Sequence, residues 1–382
     1  MPIGITEDHQ ALHEAVRGWA ARHATPAVLR AALDAETEAR PPFWSALADQ
    51  GWLGLHVPEA DGGSGFGLPE LVVVVEELAA AGAPGPFLPH VLATGVLAAA
   101  PPSTARSEFL PRLASGERIA GYVGQRVSRH DHGLVGEVVD SGLHVRGTVA
   151  PVMCATIADV FVAMVSVGHD VVWCVLEAGE GVRARELASL DPTRRVGEVE
   201  VDVVVPTDRL LGAVDVADAV NLQCVVMAAD LLGVAQWCVD TAATYARDRI
   251  QFGRPIGQFQ AVKHKCADMV ARLELARAAA WDAARAFTDP ATRDLASAAA
   301  IALAADAGFA NAKDCIQVLG GIGFTWEHDA HVYLRRAMAD NAFLGHPAEW
   351  RARALRQALA GVRRSLAVDL GPEADAVRAE VR

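Results

Sequence analysis

The chain has 382 residues, 52% of them hydrophobic and 21% charged, with a formal net charge of −13. That length suits two or three packed subdomains rather than one small core, and the apolar content excludes a disordered tail. No concentrated basic face offsets the negative charge, which argues against a nucleic-acid binder held by phosphate contacts.

Residues 1–118 read as helices. Thr6 to Ala24 places apolar or small residues at helical spacing and stops before Pro26. Pro42 to Gln50 forms a short helix that Gly51 ends. The run Leu71 to Val75 is β-branched, yet Pro69-Glu70 is a good helix start and Glu76-Glu77-Leu-Ala-Ala-Ala carries the helix to Gly82. The glycines of GGSGFG at 62–67 are not set between a strand and a helix of a βαβ unit, so a turn is expected there and not a phosphate loop.

From 119 the pattern becomes alternating. Leu134–Val139, Leu143–Val149, Val160–Val167, Val171–Leu176 and Gly197–Val205 predict short strands of an antiparallel β domain. From Asp215 to Gly361 long helices return, interrupted by loops at 249–259 and 320–327 and by a break at Asp289-Pro290. The late arginines, Arg335/Arg336 and Arg351/Arg353/Arg356, alternate with apolar residues at helical spacing. The six cysteines form no CxxC pair and are expected to be reduced and mostly buried in a cytoplasmic protein. The start of the sequence has no basic region followed by an apolar core, so no secretory signal is expected. No membrane span is expected either, because the longest candidate, Leu295 to Ala312, is Ala-rich and broken by Asp306.

Two motifs carry the functional reading: RIQFGRPIGQFQ at 249–260 and QVLGGIGF at 317–324. An arginine at a helix end offers a planar fork of donors suited to a pyrophosphate, and glycines let backbone amides approach phosphates. In this order, and with the match running on through Lys263, Ala267 and Met269, the sequence resembles the acyl-CoA dehydrogenase family. The resemblance covers essentially the whole chain. It implies an α+β fold: an N-terminal α-helical domain (1–118), a central antiparallel β domain (119–212) and a C-terminal four-helix bundle (213–364), followed by a tail (365–382). It also implies that Arg249, Phe252, Gln317, Gly320 and Gly321 bind FAD held mainly by a neighbouring subunit, and hence an oligomer.

The departures from the family pattern concern the reacting centre. Removal of the α-proton of a thioester needs a carboxylate base. Leu344, before Gly345, stands where the family usually carries that glutamate, and Gln223 stands at the alternative position on the first bundle helix. Glu327 is a substitute candidate, set against its reading as a helix-start carboxylate. Pro151 and Met153 replace the aromatic and hydroxyl residues beside the flavin ring, and YVGQRVSRHDHG (122–133) replaces a Thr-Glu and Gly-Ser-Asp loop. No metal site is expected: neither His130-Asp131-His132 nor His328 with His331 has a third ligand at recognisable spacing.

The resemblance therefore implies a non-catalytic member of a heteromeric FAD-dependent enzyme. Its partner is a catalytic acyl-CoA dehydrogenase chain or a fused second half, its substrate an acyl-CoA thioester, and its electrons go to an electron-transfer acceptor. Family members place the acyl chain near the GGSG loop and the first bundle helix. Segments 84–90, 189–195 and 323–331 resemble the branch rich in steroid and lipid catabolism. Ala367 to Arg382 reads as an acidic helix or as the opening of another such unit. Two alternatives stay open: a self-sufficient homo-oligomer with an unusual base, and a flavin-free scaffold on the same fold.

Overall fold

The computed structural model describes residues 5–124, 133–179 and 181–364. Thr6 caps α1 (Glu7–His23), accepting the His9 amide while the His9 ring accepts the Thr6 amide. This is a capping box with histidine in the usual glutamate role. Thr25 caps α2 (Pro26–Asp34), with proline at the first position. Gly51, at φ +72°, follows α3 (Trp44–Asp49). Then come α4 (Leu68–Ala80), α5 (Phe87–Ala99) and α6 (Thr104–Ala114). The β-branched run is helical as expected: Leu71 to Val75 are all buried, and packing outweighs their modest propensity. GGSGFG is a turn before α4, where the Glu70 carboxylate accepts the Gly67 amide at 2.9 Å.

The central sheet contains β1 (Ala120–Val123), β2 (Leu134–Val139), β3 (Gly142–Met153), β4 (Val160–Val167), β5 (Asp170–Glu177), β6 (Val182–Glu186), β7 (Val196–Val205) and β8 (Leu210–Leu211). Its order is β6-β7-β3-β2-β4-β5-β8, and β1 also pairs with β4. The sheet is not wholly antiparallel. β1 runs parallel to β4, and Val135 of β2 pairs with Ser166 of β4 in the parallel sense. A parallel pair needs a crossover, which the β2–β3 hairpin between β1 and β4 supplies. The His90 ring of α5 accepts the Ala120 amide at 3.2 Å and ties β1 to the helices.

β4 shows why its sequence is continuously apolar. Val160, Val162 and Met164 belong to the core shared with the helices, whereas Phe161, Ala163 and Val165 fill the core on the other face of the sheet.

The C-terminal helices are α7 (Val216–Asp248), α8 (Gln260–Ala286), α9 (Arg293–Leu319), α10 (Ala330–Leu344) and α11 (Pro347–Leu359), with a small hairpin, β9 (Ile250–Gln251) and β10 (Arg254–Pro255), between α7 and α8. The fourth place in the bundle is filled by α10 and α11 together, separated at Gly345, whose φ is +81°. Gly233 lets α7 cross α4 closely: a Cβ there would lie 2.2 Å from the Glu76 carbonyl oxygen. α7, like the stretch Arg293–Phe324, is long and apolar enough to cross a membrane, but 89% of its apolar window is buried inside the bundle. The buried cysteines are free, and Cys266 is half-buried.

Candidate functional site

The first motif forms the β9–β10 hairpin. Gln251 pairs with Arg254, leaving Phe252 and Gly253 as a two-residue turn with φ +53° and +76°. Two positive φ values are what a type I′ turn demands, and Asn-Gly is its favoured sequence. A phenylalanine in the first position is strained. It is also 91% exposed, with its ring edge-on to Phe259 at 5.9 Å. Arg254 lies over the Phe259 ring at 4.3 Å, which braces the hairpin. Arg249, the C-cap of α7, is exposed and in no ion pair among the described residues.

The second motif ends α9. Gln317 is exposed, and Gly320 adopts φ +65° and ψ −136°, a conformation that needs glycine. Nothing lies within 4 Å of a Cβ built on Gly320 or Gly321. The five sequence-predicted nucleotide contacts are therefore all exposed to solvent on this chain. A fork of free guanidinium donors and an open glycine cradle fit a pyrophosphate.

The reacting-centre positions are different. Leu344 is 0% exposed at the end of α10, and its carbonyl accepts the Trp350 indole at 3.0 Å. Gln223 is buried on α7. Its amide nitrogen meets Met227 Sδ at 3.8 Å, and its Oε1 has no hydrogen-bond partner among the described residues. Glu327 lies in an exposed loop. The Thr325 hydroxyl and its own amide hold its carboxyl below the ordinary value, so it is a weak base. Nor does it start a helix: Asp329 occupies the N-cap of α10 and pairs with Arg30 at 2.9 Å.

Pro151 sits at an irregularity of β3, and Met153 is buried in the helical core. Neither supplies a ring to stack or a hydroxyl to donate. Nearby on β1 and β5, Tyr122 and Trp173 stack at 6.1 Å, and both polar tips are buried without partners among the described residues. His130-Asp131-His132 and Ala367–Arg382 lie outside the described residues. His328 packs against Trp237 and His331 against Trp326, and no metal-binding cluster occurs among the described residues.

The tertiary structure adds two features, the first at a place to which the resemblance already pointed. One is a cavity of about 550 Å³ lined by His56, Phe66, Leu68, Val96, Leu222 and Phe287, with Asp218 and Arg285 also in its wall. It joins the GGSGFG turn to α7, and burial lowers His56 to about 4, so its ring is neutral. The other is a buried ionic cluster. Arg194 donates to Asp340 at 3.0 Å and forms an ion pair with Asp230 at 3.0 Å, and Arg336 donates to Thr193 at 2.7 Å and to the Ala83 carbonyl at 3.0 Å. Asp191 lies 3.4 Å from Arg336 and 3.5 Å from Arg194.

The cluster sets two guanidiniums against three carboxylates. Burial and neighbouring Asp230 push Asp340 well up. For Asp230 burial is outweighed by Arg194 and Arg336, which bring it down. The two carboxyls are thus pushed apart, Asp340 toward its protonated form and Asp230 toward its charged form. Beside the cluster, the Glu38 carboxyl accepts the Arg195 amide at 3.0 Å, and burial raises it to about 7.

Residues 6–117 match the family model of the acyl-CoA dehydrogenase N-terminal domain, and residues 212–358 match that of the C-terminal domain. The chain belongs to the acyl-CoA dehydrogenase family. Members of that family are FAD-dependent. Acyl-CoA dehydrogenase FadE34 of Mycobacterium tuberculosis is 39% identical across 100% of this chain but only 53% of its own length, so this chain spans about half of that relative. Acyl-CoA dehydrogenase IpdE2 of the same organism is 35% identical over 90% of this chain and 95% of IpdE2. Among solved structures, the ChsE4-ChsE5 complex from Mycobacterium tuberculosis superposes with a TM-score of 0.86 at 29% identity, over 94% of this chain and 99% of that one. A variant of the Tcur3481-Tcur3483 steroid ACAD gives 0.86 at 28% identity, over 93% and 98%. The fold of this chain is thus the acyl-CoA dehydrogenase fold.

Proposed function

We propose that this chain is the glutamate-less member of a heteromeric, FAD-dependent acyl-CoA dehydrogenase. It presents Arg249, Phe252, Gln317 and the Gly320–Gly321 loop to the nucleotide end of FAD held mainly by a partner. The partner, a separate chain or a fused second half, supplies the base that removes the α-proton of an acyl-CoA thioester. FAD supplies the hydride acceptor, and an electron-transfer acceptor reoxidises it. One observation carries this reading: the nucleotide contacts are all exposed and nothing lies within 4 Å of a Cβ built on Gly320 or Gly321, while the base position holds Leu344 with 0% exposure. A carboxylate base cannot be replaced by an alkyl group.

The bulk of the acyl group is read from likeness. One similar structure is a steroid ACAD, and both similar structures carry paired names, which supports a bulky, steroid-like CoA thioester and a hetero-oligomer. The span of FadE34, about twice the matched length, supports the second-half variant. The cavity beside α7 has the size and apolar lining of an acyl site.

The test is flavin content per chain. The chain purified alone is expected to carry little FAD and to leave acyl-CoA unoxidised, and its complex with a glutamate-bearing partner to carry FAD that Arg249→Ala strips. Near-stoichiometric flavin with turnover by the isolated chain overturns the proposal. A second reading, a chain that binds flavin or thioester at its own junction, is favoured by the unpartnered tips of Tyr122, Trp173 and Gln223. In that case flavin remains on the isolated chain, and Tyr122→Phe weakens it.

A further inference from the structure

Trp326 stands out from the burial pattern. It is 70% exposed, although exposed apolar surface forgoes about 25 cal/mol per Å². Its position is nevertheless fixed. The Arg30 guanidinium donates to the carbonyls of Trp326 at 3.4 Å and Glu327 at 2.7 Å, and pairs with Asp329 at 2.9 Å. The His331 ring meets the indole edge-to-face at 4.5 Å. Two neighbours thus hold an aromatic face at the surface on a braced backbone.

That face forms one wall of a cleft of about 420 Å³ between α2 and the start of α10. Arg335 also lines the cleft, with its guanidinium 5.6 Å from the indole centre. No carboxylate of the described residues forms an ion pair with Arg335, whereas the charge of Arg30 is met by Asp329. Asp34 lines the same cleft. Burial and the charge of Arg335 lower the His331 ring, so it is neutral near pH 7 and able to give or take a hydrogen bond.

We propose that this cleft binds an adenine nucleotide. The base stacks on Trp326, the phosphates meet Arg335, and Asp34 accepts from a ribose hydroxyl or the base amino group. Stacking on an exposed aromatic tolerates any base face, while an unpaired guanidinium selects for the phosphate. A cleft of this volume accommodates a base, sugar and phosphates. The residues are other than the five assigned to the flavin nucleotide, so the proposal does not rest on that function.

The experiment is equilibrium dialysis of the full-length chain against labelled ADP, adenosine, inorganic phosphate and coenzyme A. ADP is expected to bind saturably at one site per chain. Trp326→Ala should weaken it roughly tenfold or more, and Trp326→Phe should keep most of the affinity. Arg335→Gln should weaken ADP but leave adenosine unchanged. Coenzyme A binding as tightly as ADP, with the same variant pattern, identifies a thioester carrier as the source. ADP bound with coenzyme A excluded identifies a free nucleotide. ADP affinity unchanged in Trp326→Ala, or absent up to about 1 mM, overturns the proposal. A change of oligomeric mass in Trp326→Ala without nucleotide binding also overturns it and assigns the indole to a subunit contact. Flavin content of the same preparations reports on the proposed function separately.

Discussion

The loops at 249–259 and 317–324 and the junction around Leu344 and Arg194 are opposites. The loops are exposed, strained at Phe252 and glycine-dependent at Gly320, and they touch little of their own chain. The junction is mostly buried, joins an ionic cluster to unpartnered polar tips, and carries Leu344, Gln223, Pro151 and Met153 at the positions where the sequence resemblance expects reactive groups. On the proposed function, the contrast means that binding capacity and chemical capacity are separable within one fold. A loop that serves a ligand outside the chain keeps its strain without help from local packing.

Breaking the junction has the largest expected effect. Arg336→Ala removes one of the two buried cations that face three carboxylates, with its bonds to Thr193 and the Ala83 carbonyl, and is expected to cost about 3–5 kcal/mol, read from the midpoint of urea unfolding. A loss under about 1 kcal/mol would mean that the cluster does not clamp the β domain to α10.

Glu38→Gln comes next and depends on pH. The folded-state pKa of Glu38 is raised to about 7 from 4.5, so its protonated form favours folding. That contribution is complete below about pH 4.5 and is lost as pH rises through 7. Glutamine keeps the acceptor for the Arg195 amide without the charge. The variant should match the parent at pH 4.5 and be more stable at pH 8, by at most roughly 3 kcal/mol, in thermal melts. An equal shift at both pH values would refute the buried-carboxyl account.

The loops have smaller effects on stability and larger ones on binding. Phe252→Asn relieves the left-handed strain and is expected to stabilise by about 1 kcal/mol while weakening flavin retention in the complex. A stability loss instead would mean that the Phe252–Phe259 contact outweighs the strain. Arg249→Ala is the smallest: stability within about 0.5 kcal/mol of the parent, with the flavin lost. A large drop in melting temperature would show that the arginine belongs to the core rather than to an external ligand.

Helix type and order were legible in the sequence because caps and periodicity are local. Thr6 and Gly51 mark helix ends as read, β2 and β4 begin and end where alternation placed them, and the helix that Thr25 caps was not picked out individually. The short strands β1 and β6 were missed, since four or five residues carry too little alternation. The parallel pairing of β1 with β4 was missed because pairing sense depends on what crosses over, not on strand composition.

By itself the sequence determined the family layout and the two glycine-bearing loops, and it put Leu344 before Gly345, all of which depend on residue identity at short spacing. Tertiary structure alone decided that Arg336 is core rather than surface, that Glu327 is a solvated carboxylate, and that Trp326 faces an open cleft beside Arg335. Each of these turns on partners far away in the chain: Arg336 meets Asp191 across 145 residues and Arg30 reaches Glu327 across 297. Local propensity carries no record of such partners, because burial and charge pairing are settled only when distant elements pack.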